Sequence, residues 1–442
     1  MGTPILSNLS ADGQKIWVYN VDYCEHIEGY VQGGYCPIHL DDRLGPDGRY
    51  RVMHKLGAGG DGTVWLCRDI KYAGYVAVKV HKALRESSNS AFEEFLSSLA
   101  PDSPGRKLLA VPLDKFTVDS PNGTHECIVL PVLGPRVFLR VGRAVHDSEK
   151  RKQILHKVCY QSTLAMAFLH DNGFCHGDFQ PENILSKLVN LDSLSERELM
   201  KTIRTPHIIE VETEPGRPLP PSCPQYLVDS VSLVELIEQD NNKYLSDDMC
   251  LINFDRVYPM SSPSPPSMHG VMEDYWPPER LLEEMRFDIM SKDNPALEEP
   301  ALAAGLACDL WALGCTIFEI KVQVGLLYWA FLNKANNDYS WPLLFETLPC
   351  LIDMLGPLPS DLSEKWEWCS QRFDKSKKRV GQWSETRVPS LEELVAFWES
   401  EDHEVLDDEL SLFVDMLRKL FRYNPEERMS ARELLEHKWF AF

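Results

Sequence analysis

The sequence predicts an α+β fold of two lobes, a small β-rich lobe followed by a larger, mainly α-helical one. Three observations carry this prediction. Between Tyr50 and Lys82 the apolar positions alternate or run together (Val64-Trp65-Leu66; Val76-Ala77-Val78-Lys79-Val80), with Gly clusters between them, as in strands joined by tight turns. From Ser148 onward the spacing of Ile154, Val158, Leu164, Ala165 and Phe168 is helical, and most later segments follow it. A chain of 442 residues, 44% hydrophobic and 25% charged, has ample apolar material for a real core.

In order along the chain, residues 1–49 are polar and Tyr/Gly-rich, end in the turn-forming run Gly45-Pro46-Asp47-Gly48, and read as an extended lead-in. Residues 50–135 form the first lobe. It holds a three-strand meander, a helical segment from Phe92 to Leu99 and a short apolar strand from Cys127 to Leu133, bounded by Gly134-Pro135. Residues 136–442 form the second lobe, with helices expected near 303–322, 343–354, 391–399, 407–421 and 430–438. Two stretches interrupt it, about 186–247, Pro-rich from Pro215 to Pro224, and Pro259–Pro266; both read as loops or insertions.

Composition narrows the partners. A formal net charge of −22 disfavours direct nucleic-acid binding and favours basic partners, although solubility alone would also account for it. The twelve cysteines are scattered singlets with no CxxC pair, which points to free thiols in cytoplasm or nucleus. No stretch approaches the roughly 20 apolar residues of a membrane span, so no membrane partner is expected.

The chemistry lies in a series of short motifs. Leu56-Gly57-Ala58-Gly59-Gly60-Asp61-Gly62-Thr63-Val64 gives GxGxxGxV between two predicted strands, where glycines let the backbone fold over phosphates. An ordinary Gly-rich hairpin would match as well, and the strand that follows argues against a dinucleotide-binding loop. Lys79 sits in an otherwise apolar strand, where a charge is costly unless paired. Glu94 is the expected partner and Glu93 the alternative. His176-Gly177-Asp178-Phe179-Gln180-Pro181-Glu182-Asn183 follows a helix and fits the frame HxDxxxxN, in which Asp178 would accept a hydroxyl proton and Asn183 would ligand a metal. Leu251-Ile252-Asn253-Phe254-Asp255 comes next, then Trp276-Pro277-Pro278-Glu279, Asp309-Leu310-Trp311-Ala312-Leu313-Gly314 and Asn424-Pro425-Glu426-Glu427-Arg428. A buried Glu279–Arg428 pair is expected to tie two of these segments together.

Over about residues 50–442 the order of these motifs resembles that of the eukaryotic protein kinases. The lead-in Glu28-Gly29-Tyr30-Val31-Gln32-Gly33-Gly34-Tyr35-Cys36-Pro37-Ile38 and the segment Ile128-Val129-Leu130-Pro131-Val132-Leu133-Gly134 resemble the SR-protein kinases. The insertion, with Leu219-Pro220-Pro221 and Tyr226-Leu227-Val228, is similar to the fungal members. The resemblance implies a bilobal kinase fold, ATP and Mg²⁺, and a protein substrate rich in Arg and Ser. It places Leu56, Gly57, Gly59, Gly62, Val64, Ala77 and Lys79 on the nucleotide, Leu130 as gatekeeper, and the backbone of Pro131 and Leu133 on adenine.

The chain departs from that family at four positions. Gly177 replaces an Arg that would neutralise a phosphorylated loop, Gln180 replaces a Lys beside the base, and Asp61 brings a negative charge near the Gly-loop tip. Asn253 replaces the metal-binding carboxylate, and Asp255, two residues on, would reach the same side if the backbone there is extended. Three functions therefore stay open: a serine/threonine protein kinase, a pseudokinase scaffold that binds ATP or partners, and a small-molecule phosphotransferase of the aminoglycoside or choline type, whose HGD…N and DFD-like pattern this chain echoes.

Overall fold

A computed structural model describes residues 5–8, 15–18, 24–84, 90–100, 102–137, 147–231, 233–234, 243–261, 272–293, 305–328, 344–373, 389–399 and 407–441. Pro266 and its neighbours in the second predicted loop lie outside the described residues. The chain divides into two compact units: residues 1–88, 100–144 and 185–250 make one, and residues 89–99, 145–184 and 251–442 the other.

The first unit is built on a six-stranded antiparallel sheet. Its strands are ordered Arg43–Leu44, Tyr50–Gly59, Gly62–Asp69, Gly74–His81, Gly123–Pro131, Asp114–Ser120. The expected meander is the second to fourth of these. Its inward row, including Val52, Trp65, Cys67, Val78, Val80, Cys127 and Val129, forms one buried cluster, so the alternation seen in sequence is the alternation of one buried sheet face.

The lead-in and the insertion differ from expectation. Strand Lys15–Val18 pairs with Ile5–Asn8 on one side and Glu212–Thr213 on the other, and Trp17 Nε1 donates to Glu212 Oε2 at 2.8 Å. Residues expected to be loop thus supply strands Ile208–Glu210, Glu212–Thr213 and Tyr226–Val228, and a helix, Glu196–Ile203. That helix starts on a capping box between Ser195 and Glu198 and buries Leu199 and Ile203. Although placed in the second lobe by sequence, residues 185–250 fall in the unit that carries the sheet.

One buried charge pair underlies this assembly. Lys55 Nζ donates to both carboxylate oxygens of Glu25, at 2.7 and 2.6 Å, and both side chains are fully buried. Tyr30 donates to the same carboxylate, and the ammonium lies 5.0 Å from the Trp65 ring centre. Around them Ile16, Val18, Ile27, Tyr30, Ile209 and Leu227 share a second core.

The second unit is helical. Helix Ser148–Asp171 is capped by the Asp147 side chain, which accepts from Lys150 N, and it packs on Leu306–Val322, a helix buried along nearly its whole length. Helices Leu344–Leu355, Leu391–Glu399 and Asp408–Leu420 stand close to where the spacing put them. The segment 430–438 is shorter than expected, a helix Ala431–Leu434 and then a 3-10 turn Lys438–Ala441 around buried Trp439. Helix Ser90–Ser98 joins this unit through Phe92 and Phe95, whose rings meet Phe168, Phe174 and Phe254 at 5.0–5.8 Å. Among the described residues no helix is long and apolar enough to cross a membrane.

Removing one partner of a buried pair leaves an uncompensated charge. Lys55→Met should therefore lower stability by about 3–5 kcal/mol in urea unfolding, and the double change Glu25→Gln/Lys55→Met should recover much of that loss.

Candidate active site

The catalytic-loop residues of the second unit hang from one carboxylate. Asp309, buried in helix Leu306–Val322, accepts from the backbone N–H of His176 at 2.6 Å and of Gly177 at 3.0 Å, and its Oδ2 lies 3.1 Å from Nε2 of His170. Gly177 takes φ +75°, and a Cβ there would come within 2.5 Å of the Arg256 carbonyl oxygen. The missing Arg at 177 is thus tied to close backbone packing. His176 is fully buried, and burial holds its pKa below the ordinary range. Its Nδ1 accepts from Asp178 N at 3.2 Å and its Nε2 faces the Ile252 carbonyl at 3.2 Å, which assigns one neutral tautomer. Phe179 and Phe254 close over the ring at 5.6 and 5.7 Å.

This scaffold presents the Asp178 carboxylate to three side-chain amides. Gln180 Nε2 donates to Oδ1 at 2.6 Å, while Asn183 Nδ2 and Asn253 Nδ2 donate to Oδ2 at 2.9 and 2.7 Å. Asn183 Nδ2 also reaches the Asp178 backbone oxygen at 2.7 Å. Burial raises the Asp178 pKa to about 6; the donors from Asn183, Gln180 and Asn253, and the charge of Arg256, pull the other way and lose.

Asp178, Asn183 and Asn253 are therefore brought together as one hydrogen-bonded group. Asp255 is not placed by the route expected for it: Asn253 is left-handed (φ 66°, ψ 63°) and Phe254–Arg256 is a 3-10 turn, so the extended backbone that would align the two side chains is absent. Asn is well suited to that left-handed position. With its amide hydrogens on Asp178, Asn183 turns to a hard cation only its carbonyl oxygen, a ligand type that suits Mg²⁺. Among the described residues no group of three or more His, Cys, Asp or Glu forms a metal-binding set.

The phosphate-loop candidates lie in the first unit. Gly57 pairs with Val64 and Gly59 with Gly62 across a hairpin, Val64 lies opposite Lys79, and Ala77 opposite Leu130. Leu56, Pro131 and Leu133 belong to the same unit. Space around Gly57 and Gly59 is open, but a Cβ on Gly62 would meet the Val80 carbonyl oxygen at 2.2 Å, so this glycine is required by strand packing. The loop tip is held by Tyr35 of the lead-in, whose hydroxyl donates to Gly59 O at 2.8 Å. Glu94, expected to partner Lys79, is an exposed residue of helix Ser90–Ser98; Glu93 is the half-buried one.

Sequence reasoning missed an acidic cavity in the second unit. It has a volume of about 220 Å³ and is lined by Glu182, Asp274, Tyr275, Glu319, Leu326 and Tyr328 among others. Tyr275 donates to Glu319 Oε2 at 2.6 Å, and burial, then the nearby Glu182 and Asp274, raise the Glu319 pKa. The available signal was Glu182, inside the catalytic-loop motif. The expected Glu279–Arg428 pair is present and bidentate, at 2.7 and 2.7 Å, and Arg428 also donates to Ala307 O at 2.8 Å.

A crystallised kinase domain superimposes with a TM-score of 0.54, covering 91% of this chain and 98% of that one at 17% identity. The fold is that of a protein kinase. No family model matches the chain. The kinase-like chain is 32% identical over 173 residues to SRSF protein kinase 3 of Mus musculus, covering 36% of this chain and 29% of that protein. It is 24% identical over 446 residues to a serine/threonine protein kinase of Aspergillus fumigatus, covering 99% of this chain and 94% of the other. The chain thus resembles serine/threonine protein kinases, SR-protein kinases among them. Its match spans less than a third of the length of the SRSF protein kinase.

Because Asp309 serves two backbone donors at once, Asp309→Asn should cost about 3 kcal/mol of stability, read as a lowered urea midpoint.

Proposed function

We propose that the chain is a serine/threonine protein kinase that transfers the γ-phosphate of ATP to a protein hydroxyl. The observation that carries this is the Asp178 carboxylate, buried on an anchored loop and held by three amides. In this reading the substrate hydroxyl gives its proton to Asp178 as its oxygen bonds to the γ-phosphorus, the bond from that phosphorus to the bridging oxygen breaks, and ADP leaves. Asn183 and Asn253 would hold Mg²⁺ through their amide oxygens, with Asp255 a further candidate; the ion, when bound, offsets phosphate charge. Leu56, Gly57, Gly59, Gly62, Val64, Ala77, Lys79, Leu130, Pro131 and Leu133 would bind ATP.

The substrate is proposed to be Arg/Ser-rich. SRSF protein kinase 3 is named for such a target class, and a cavity lined by Glu182, Asp274 and Glu319 suits a guanidinium, which brings a fixed charge and planar donors. The eleven cysteines whose side chains the structure describes are free, consistent with cytoplasm or nucleus. The departures at Gln180 and Asn253 also support a second reading, a scaffold that binds ATP or partners without transfer. Measuring phosphate transfer to an Arg/Ser peptide decides between them.

A base must be unprotonated to act, so transfer should fall about tenfold per pH unit below about 6, the value to which burial lifts Asp178. For stability the sign is the reverse. The folded carboxyl holds its proton more tightly than the unfolded one, so its contribution is full at low pH and is lost as the pH rises through about 6.

The neutral residue at 253 should slow the native chain, since a carboxylate there would add charge on the metal. Asn253→Asp is expected to raise turnover by about 10² at saturating Mg²⁺. Without enough Mg²⁺ the change should be harmful, because it replaces a donor 2.7 Å from Asp178 Oδ2 by a second anion and moves the acid limb upward. Equal turnover and an unmoved limb in the variant would show that position 253 does not meet the metal.

A further inference from the structure

The Gly-rich hairpin over residues 57–62 does little to hold its own tip. A Cβ added at Gly57, Gly59 or Gly60 would meet nothing within 4 Å, and residues 58–60 are exposed. Glycine loses more conformational freedom on ordering than any other residue, so a tip of this composition needs fixing from outside. The lead-in supplies that fixing. Tyr35 is 6% exposed, and its hydroxyl donates to Gly59 O at 2.8 Å. Beside it, Lys82 N donates to Asp61 O at 3.0 Å, and the Lys82 ammonium lies 4.3 Å from the Tyr35 ring centre.

Tyr35 is itself tied to the rest of the sheet. Its N–H donates to Gly29 O at 2.8 Å, and its carbonyl accepts from Asn122 Nδ2 at 2.7 Å. Gly33 N donates to Asn122 O at 2.7 Å, while Ala83 N and Leu84 N donate to Gly34 O and Gly33 O at 3.1 and 2.9 Å. A Cβ on Gly29 would come within 2.4 Å of the Tyr35 ring, and one on Gly34 within 2.0 Å of Gly29 O, so the lead-in glycines allow the ring its place. The hydroxyl thus reaches the hairpin from a frame bonded to residues 83–84, which follow the strand of Lys79, and to Asn122, in the turn between the last two strands of the sheet.

That contact orients one peptide unit. A trans peptide is planar, with its N–H directed opposite to its C=O, so holding the Gly59 carbonyl on Tyr35 turns the Gly60 N–H away from the lead-in, in an exposed residue. Main-chain N–H groups of Gly-rich turns are ready anion donors. We propose that Tyr35 is a positioning residue for the nucleotide: it pins the peptide between Gly59 and Gly60, so that the hairpin offers its N–H to a phosphate in one prepared orientation. The lead-in is then a working part of the phosphate site. This rests on the ATP-binding reading of the hairpin given above and names the residue that prepares it.

The test reads binding, with ligands that differ in their phosphates. Tyr35→Phe removes the hydroxyl and keeps the ring. It should weaken Mg·ATP binding about fivefold in calorimetry and leave adenosine binding unchanged, with the urea midpoint close to native. Hydrogen exchange should quicken at residues 59–62 and stay as it was along the strands. Equal losses for adenosine and ATP would make the contact merely structural, and an unchanged ATP affinity would remove it from the site; either overturns the proposal. Should the variant fail to fold, exchange in the native chain decides. Amides at 60–62 protected before nucleotide is added support a prepared tip, and amides protected only with Mg·ATP contradict it. A native chain that binds ATP no better than adenosine overturns the phosphate reading of the hairpin and this proposal with it. A chain that binds ATP but transfers no phosphate overturns the kinase reading alone, and an ATP-selective loss in its Tyr35→Phe variant still supports the proposal, because the comparison needs no transfer.

Discussion

The second unit depends on the Asp309 carboxylate. A catalytic loop must leave regular structure, so its backbone donors lose their usual partners, and when buried they need others. Here two consecutive N–H groups, of His176 and Gly177, are satisfied by the two oxygens of one side chain. That side chain is 3% exposed and sits on a helix that is itself almost wholly buried. The carboxylate cannot shift without unpairing buried donors, and each would cost about 1–3 kcal/mol. Everything proposed for catalysis inherits that rigidity: His176 orients the Asp178 backbone, and Asn183 accepts at its carbonyl from Ile252 N at 2.9 Å, which links the loop to the strand leading to Asn253.

Much of this was legible in the sequence because it is encoded locally. The meander, the Asp178–Asn183 spacing and the long helices follow from periodicity and short motifs, and the Glu279–Arg428 pair follows from the cost of burying either charge alone. What failed was non-local or finer than periodicity can resolve. Residues 186–247 read as loop because their strands are short and their partners lie far off, as with Glu212 and Trp17, 195 residues apart. Asp255 was placed by assuming an extended chain through Asn253, a residue type that readily takes the left-handed conformation it has here.

Three changes at the catalytic loop looked, one at a time, like losses. Gly177 lacks an Arg, Gln180 lacks a Lys and Asn253 lacks an Asp. The structure gives the last two a common logic, because both end in amides that donate to the same carboxylate, at 2.6 and 2.7 Å. A cation at 180 and an anion at 253 would each be costly alone in a buried setting, and their effects on Asp178 have opposite sign. Replacing both by neutral donors keeps the carboxylate hydrogen-bonded and removes the need to balance them.

That coupling sets how the site could be altered. A lone lysine at 180 would pull the Asp178 pKa down and weaken it as a base, whereas a lone carboxylate at 253 would push it up and demand a metal. Only the two together restore a balanced set, so their effects on turnover should not be additive. The amide pair is therefore a self-consistent alternative to the charged pair: in the proposed reaction it would give up electrostatic stabilisation of the phosphate, and in exchange the Asp178 carboxylate keeps its hydrogen bonds without a bound cation.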